Sequence, residues 1–313
     1  GMRFDSADLA SLETQGGLVT VAAGNMQRPD TAARWGGQAG SNGHYRIFGK
    51  YFNRQEQDLA SGARASDGWH SRRMGFRGDW DLSDHDSFSV LGGGYQGLEH
   101  HLENRITTML PPVQQVVTNP VHSNGADILV KWQRAFSGRS DIILQAYYNH
   151  TDSRDTAFGE RRNTSDIDFQ HHVAIKSRHD LVWGLGLRHT VDYTSGSFQT
   201  SFTPRVDHNT TFSLFAQDEI TLLPNRLRFV GGARLTQDRD TEAEIQPDGR
   251  LLWTPNLSHS FWLAISTPVG EPSFSSKSVR FSQSVFVASI DHRQPRRDRI
   301  LGRFRHIRRR VVP

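Results

Sequence analysis

The chain has 313 residues, no cysteine, 35% hydrophobic residues and a formal charge of +4 at pH 7. Disulfides and thiolate metal sites are excluded, the apolar share falls below the roughly 45–50% of a packed globular domain, and no run reaches the roughly 20 apolar residues of a spanning helix. The basic balance is local: residues 274–313 carry +9, which leaves −5 for residues 1–273, so the body of the chain does not have the charge of a nucleic-acid binder.

The first residues, Gly1-Met2-Arg3-Phe4-Asp5, lack the basic stretch and apolar run of a secretory signal. From residue 17 onward, short segments alternate apolar and polar side chains, the period of a strand with two unlike faces. About thirteen strands are expected, near 17–25, 31–40, 43–53, 69–81, 86–97, 124–135, 141–152, 164–175, 180–191, 207–221, 226–238, 247–255 and 260–268. Met74, Phe76 and Trp80 face away from Arg73, Arg77 and Asp79. Ile128, Val130 and Trp132 face away from Lys131 and Gln133. Ile142, Leu144, Ala146 and Tyr148 oppose Gln145 and Asn149. Leu181, Trp183, Leu185 and Leu187 oppose Val182, two glycines and Arg188. Leu227, Phe229, Ala233 and Leu235 oppose Arg228 and Arg234.

A soluble sandwich alternates in the same way, but the connections separate the two cases. Tight polar turns at Ser41-Asn42, Ser83-Asp84-His85, Ser137–Ser140, Lys176–His179, Pro224-Asn225 and Leu257–His259 alternate with longer polar stretches. The long stretches lie near 54–68, 98–123, 152–164, 192–206 and 239–246. Outer-membrane barrels sort their loops like this, short on the periplasmic side and long outside. Most of the strands reach the roughly 9–11 residues needed to cross a bilayer at a tilt. Trp80, Phe136, Trp253 and Trp262 fall near short turns, where an aromatic girdle is expected. The expected fold is therefore all-β, an antiparallel transmembrane β-barrel fragment that forms an open curved sheet in isolation. The odd strand count and the basic segment from Phe274, ending in Arg308-Arg309-Arg310, do not fit a closed barrel. That segment reads as a disordered tail, a truncation or a reading-frame artefact.

The order of these segments resembles the barrel of TonB-dependent outer-membrane receptors. Glu13–Gly17 followed by Leu18–Asn25 resembles the passage from plug to first barrel strand. His44–Tyr51, Gly75–Trp80 and Asp86–Val90 resemble early strands. Phe212–Ile220, then a Pro-Asn turn and Phe229–Leu235, resembles the middle of the barrel, and Arg250–Pro255 with Phe261–Ser266 resembles the next hairpin. The resemblance covers residues 11–273, leaving 1–10 as an unmatched remnant and 274–313 as the Arg-rich tail. It implies about thirteen strands out of a barrel of about 22 with a plugged lumen. It further implies an outer-membrane location, contact with outer-membrane lipid, and an extracellular nutrient ligand of the siderophore, cobalamin or glycan class. Energy would come from the TonB complex through an N-terminal box that this sequence does not show. The aromatic C-terminal residue of such barrels is replaced by Val311-Val312-Pro313. With these departures, the chain as it stands is expected not to be transport-competent.

Other motifs lead away from catalysis. Gly92–Gly97 matches the G-x-G-x-x-G pattern, but no helix follows to hold a pyrophosphate. His100-His101 and His171-His172 point to opposite faces as strand neighbours and cannot chelate from one side. Asp166 and Asp168 share a face with Gln170 and His172 and read as lumen lining. No catalytic residue, metal site or cofactor is expected, and no ligand-binding residue can be named. Arg73, Arg77, Lys131, Arg228 and Arg234 would line the passage or meet a plug, and ligand contacts would come from the long stretches, above all 98–123. The Arg-rich tail reads as compositional, with no nucleic acid expected. Two alternatives stand beside the receptor: a small plug-less outer-membrane channel and a soluble all-β glycan-active enzyme.

Overall fold

The structure, a computed structural model, describes residues 15–25, 27–109, 112–156, 158–196, 204–239, 243–256, 258–267 and 284–291. The remnant 1–10, the Arg-rich end of the tail and the C-terminal Val311-Val312-Pro313 lie outside the described residues. The strands are β1 (Gly16–Ala22), β2 (Gln27–Gln38), β3 (Gly43–Arg54), β4 (Trp69–Asp81), β5 (Asp86–Met109), β6 (Pro112–Ser137) and β7 (Ser140–Arg154). They continue with β8 (Gly159–Ile175), β9 (His179–Ser195), β10 (Val206–Leu223), β11 (Leu227–Gln237), β12 (Glu244–Asn256), β13 (His259–Ser266) and β14 (Ser284–Asp291). All fourteen join one antiparallel sheet in chain order. Among the described residues β1 and β14 do not pair, so the sheet is open, as expected for the partial barrel.

Register converts the alternation of each strand into two continuous faces. Val90 pairs with Val130, Val130 with Ala146, Ala146 with Ile167, Ile167 with Leu187, and Leu187 with Phe212. One residue along, Asp79 pairs with Ser89, then come Lys131, Gln145, Asp168, Gly186 and Ser213. A one-residue slip anywhere would move a strand's whole apolar set to the polar face, so the two patterns lock the register. Burial is inverted relative to a water-soluble protein. Met74, Ile167 and Leu187 on the apolar face are 70%, 53% and 49% exposed, while Asp166 and Ser213 on the polar face are 4% and 7% exposed. An apolar face of this extent, spread over thirteen neighbouring strands, far exceeds the few hundred Å² that soluble monomers leave open.

Aromatic rings edge the apolar face at the turn end. Trp80, Phe88 and Trp132 are successive register partners there, and Trp80 Nε1 donates to Ala39 O at 3.2 Å while Trp132 Nε1 donates to Asp86 Oδ1 at 3.2 Å. Phe136 and Trp253 share this face as expected, but Trp262 does not. It pairs with Leu252 one residue out of phase with the Trp253–Phe261 pair, which puts it on the polar face. Tyr51 and Tyr148 lie near the other end. Trp80 pairs with Gly43, and Tyr51 is eight residues further along β3. At about 3.3 Å per residue and a tilt near 40° the girdles are about 20 Å apart in height, close to the roughly 25 Å band of outer-membrane barrels.

Glycines make room for rings on both faces. A Cβ on Gly78 would lie 2.3 Å from the Trp80 ring, and one on Gly184 would lie 2.6 Å from the Phe215 ring and 2.4 Å from Phe169 O. Tight turns use residues that tolerate left-handed backbone: Asn225 has φ 58° behind Pro224, and Arg226 N donates to Leu223 O at 3.1 Å to close the turn.

Three expectations change. The stretch 98–123 is not a loop: β5 and β6, 24 and 26 residues long, stay paired from Glu99 with Val121 out to Met109 with Pro112. Polarity there marks departure from an apolar surround, but Val116, Val117 and Thr118 still favour strand. β7 and β8 stay paired out to Arg154 with Gly159, so the strict alternation of short and long connections fails at that point. Among the described residues one strand joins the expected thirteen: Ser284–Asp291 pairs with β13 although it lies among the residues read as a tail.

Candidate functional site: the polar face and its extended ribbon

The polar face carries a set of charged side chains held by partners on the same or the neighbouring strand. Arg77 Nε bonds Asp79 Oδ2 at 2.9 Å, and Ser89 Oγ donates to Asp79 Oδ1 at 2.7 Å. Arg188 Nε reaches Asp166 Oδ2 at 2.7 Å across the β8–β9 ladder, while Asp166 Oδ1 is buried without a hydrogen-bond partner. Asp168 lies two residues along the same face, opposite Gly186 and close to Ser213: a Cβ on Gly186 would meet Asp168 Oδ1 and Ser213 Oγ at 2.6 Å each. Arg228 Nη1 pairs with Glu219 at 3.0 Å. Arg73 stacks over the Tyr95 ring at 5.6 Å, and that ring in turn covers Gly125. The five basic residues expected on one face, Arg73, Arg77, Lys131, Arg228 and Arg234, do share it, but they spread over β4, β6 and β11 and form no cluster. They make a wall of alternating charge.

The histidine pairs also separate by face. His171 takes the apolar side, where Trp183 Nε1 donates to its Nδ1 at 3.1 Å and Ser140 Oγ lies 3.0 Å from Nε2. His172 takes the polar side, bridging Asp141 at 2.8 Å and Asp180 near the turns that join β6–β7 and β8–β9. Among the described residues no group of three or more His, Asp or Glu side chains could hold a metal. Gly92–Gly97 lies mid-strand in β5, which leaves the dinucleotide pattern without its helix.

At the far end the β5–β6 ribbon is pinned by Asn119, which is 0% exposed. Its Nδ2 donates to Glu103 Oε2 at 2.9 Å, and its Oδ1 accepts from Thr156 N at 3.1 Å and Thr156 Oγ1 at 2.6 Å. The ribbon is therefore tied to the 155–158 connection. Beside it, Asp152 holds Arg154 at 2.7 Å and Arg161 at 3.0 Å. Sequence reasoning missed Asn119 and Asp152. Both sit in segments taken for loops, where cross-strand partners cannot be assigned, and the available hint was an Asn-Pro pair inside an otherwise β-branched run.

A family model described as "TonB dependent receptor-like, beta-barrel" matches residues 11–286. No curated protein matches the chain. Among solved structures it is similar to the siderophore receptor PirA from Pseudomonas aeruginosa, at 13% identity and TM-score 0.59, over 82% of this chain and 43% of that one. It is similar to the copper transporter OprC at 14% identity and TM-score 0.64, over 82% and 45%. It is also similar to the ferric enterobactin receptor PfeA, in complex with BCV-L6, at 13% identity and TM-score 0.59, over 82% and 45%. The chain thus spans less than half the length of each of these structures, and at such identities the likeness is one of fold.

Proposed function

The chain belongs to the TonB-dependent receptor-like β-barrel family, and from that premise we propose that it forms wall strands of an outer-membrane receptor for nutrient uptake. The family is one of receptors, not enzymes. The observation that carries the membrane reading is the inverted burial: a registered apolar face turned outward over thirteen strands, with the Asp166 carboxylate and the Ser71, Thr164 and Ser213 hydroxyls buried on the other. In lipid the outward face meets acyl chains, and the polar face lines an aqueous lumen.

Within that reading, the charged wall from Asp79 to Arg234 offers hydrogen-bonding groups to a plug or to a passing polar solute. The Asn119-pinned ribbon presents polar side chains at the extracellular mouth, where ligand is first met. The ligand class best supported is a metal-bearing nutrient, a ferric siderophore or copper, since the structural neighbours include receptors of the first and a transporter of the second. In such a receptor, coupling to a TonB complex would run through a plug held against this wall. Fractionation tests the proposal. Secreted into the envelope of a Gram-negative host, the chain should sediment with outer membranes, resist carbonate extraction, and dissolve only in detergent. Recovery in the aqueous fraction as a folded monomer would overturn it. Quenching of its tryptophans by a ferric siderophore, without ion conductance across a planar bilayer, would separate a receptor wall from an open channel.

A further inference from the structure

The outward face of β3–β6 changes character at its upper edge. Below it lie Ile47, Met74 and Phe76, all exposed and apolar. Above them Tyr51, His70, Arg72, Gln96, His122 and Asn124 line a recess of about 490 Å³. These six share the outward face, as the register of Tyr51 with Arg72, Arg72 with Gln96 and Gln96 with Asn124 requires. Arg72 lies ten residues from the turn at Leu82, which at about 3.3 Å per residue and a tilt near 40° puts it about 25 Å above that turn. That is the height of the apolar band itself, so the recess sits where acyl chains end and headgroups begin.

Its chemistry is that of an anion site. No carboxylate lines it. Arg72 is oriented by Gln96, whose Oε1 accepts from Nε at 2.9 Å and also from Nη2, and among the described residues Nη1 meets no acceptor. The His70 ring rests on Tyr51 at 6.5 Å between centroids, and among the described residues His122 and Asn124 donate to no side chain. A guanidinium, two imidazoles, a phenol and an amide thus converge, and among the described residues the one side-chain acceptor that answers them is Gln96 Oε1 on Arg72. We propose that this recess binds the phosphate-bearing headgroup of an outer-leaflet lipid, whose acyl chains lie along Ile47, Met74 and Phe76. A free phosphate ion would satisfy the donors, but only a lipid also uses the apolar surface continuous with them.

The inference rests on the outer-membrane placement proposed above. The test uses the full chain, reconstituted in phosphatidylethanolamine vesicles with and without a minor fraction of lipid A, and reads phosphorylated lipid retained per chain by native mass spectrometry. Arg72→Gln removes the charge from the recess. Arg73→Gln removes the same charge from the opposite face of the same strand. His122→Gln gives an independent second variant that breaks no hydrogen bond within the described chain. Retention should fall about tenfold with R72Q, the worth of one charge-assisted hydrogen bond, fall with H122Q, and hold with R73Q. Inorganic phosphate at matched concentration should not displace the lipid. Equal loss in R72Q and R73Q, complete displacement by inorganic phosphate, or no retention by the parent chain would each overturn the proposal. Carbonate-resistant insertion is read on the same samples: a chain that inserts yet retains no lipid fails here alone, and one that does not insert fails both readings.

Discussion

Leu185 and Gln170 lie close together in the β8–β9 ladder but on opposite faces: Leu185 pairs with Phe169, and Gln170 pairs with Gly184. Arginine introduced at each position should therefore give opposite results. Leu185→Arg puts a charge in the apolar band and is expected to cost about 2–4 kcal/mol, whereas Gln170→Arg stays among polar neighbours and should be near neutral. Urea unfolding in lipid, followed by tryptophan fluorescence, measures both. Gly184 is a second sharp case, because a β-carbon there meets backbone as well as ring. Gly184→Val should destabilise by about 1–3 kcal/mol as an overpacked site, while Gly138→Ala in the open β6–β7 turn should cost little. Facing was legible from the sequence at this scale, since Met74 and Arg73, or Leu187 and Arg188, declare their sides by simple alternation. Partners were not. Nothing in the order of residues says that Arg188 would find Asp166, 22 positions away, or that Trp262 would fall out of step with Trp253 and join the polar side.

Hairpins were readable wherever turn chemistry was strong. Pro224-Asn225 and Lys176–His179 mark their turns without ambiguity, and the flanking strands follow. Legibility failed where strand continued into polar sequence, because hydropathy reports the surrounding medium and pairing does not depend on it. The β5–β6 ribbon is the clearest instance: its outer half is polar, yet it is held by ladder bonds and by Asn119. Asn119→Ala would remove the hydrogen bonds that link Glu103 to Thr156 through one buried amide, at about 0.5–1.5 kcal/mol, since both partners reach solvent. The effect should stay within the element. Amide exchange should quicken across 99–121 and 155–158 and remain unchanged in β9 and β10. Uniform acceleration over the sheet would mean that the ribbon is coupled to the wall more tightly than one side chain explains.

Across the sheet, among the described residues, every strand pairs only with the strands before and after it in the chain. The family match makes that sheet part of a TonB-dependent receptor-like β-barrel. Stability is then close to a sum of strand terms and neighbour terms, as in repeat architectures, with no central core to fail at once. A mechanical consequence follows for a wall held in a bilayer. Force applied at the β14 end should peel it like a zipper, and each pause should correspond to a strand pair, because stopping after one strand leaves a fresh row of amides facing hydrocarbon. The longest step should come when β5 and β6 leave together, and the staircase of rupture lengths would read out the hairpin order from the carboxyl side to Gly16.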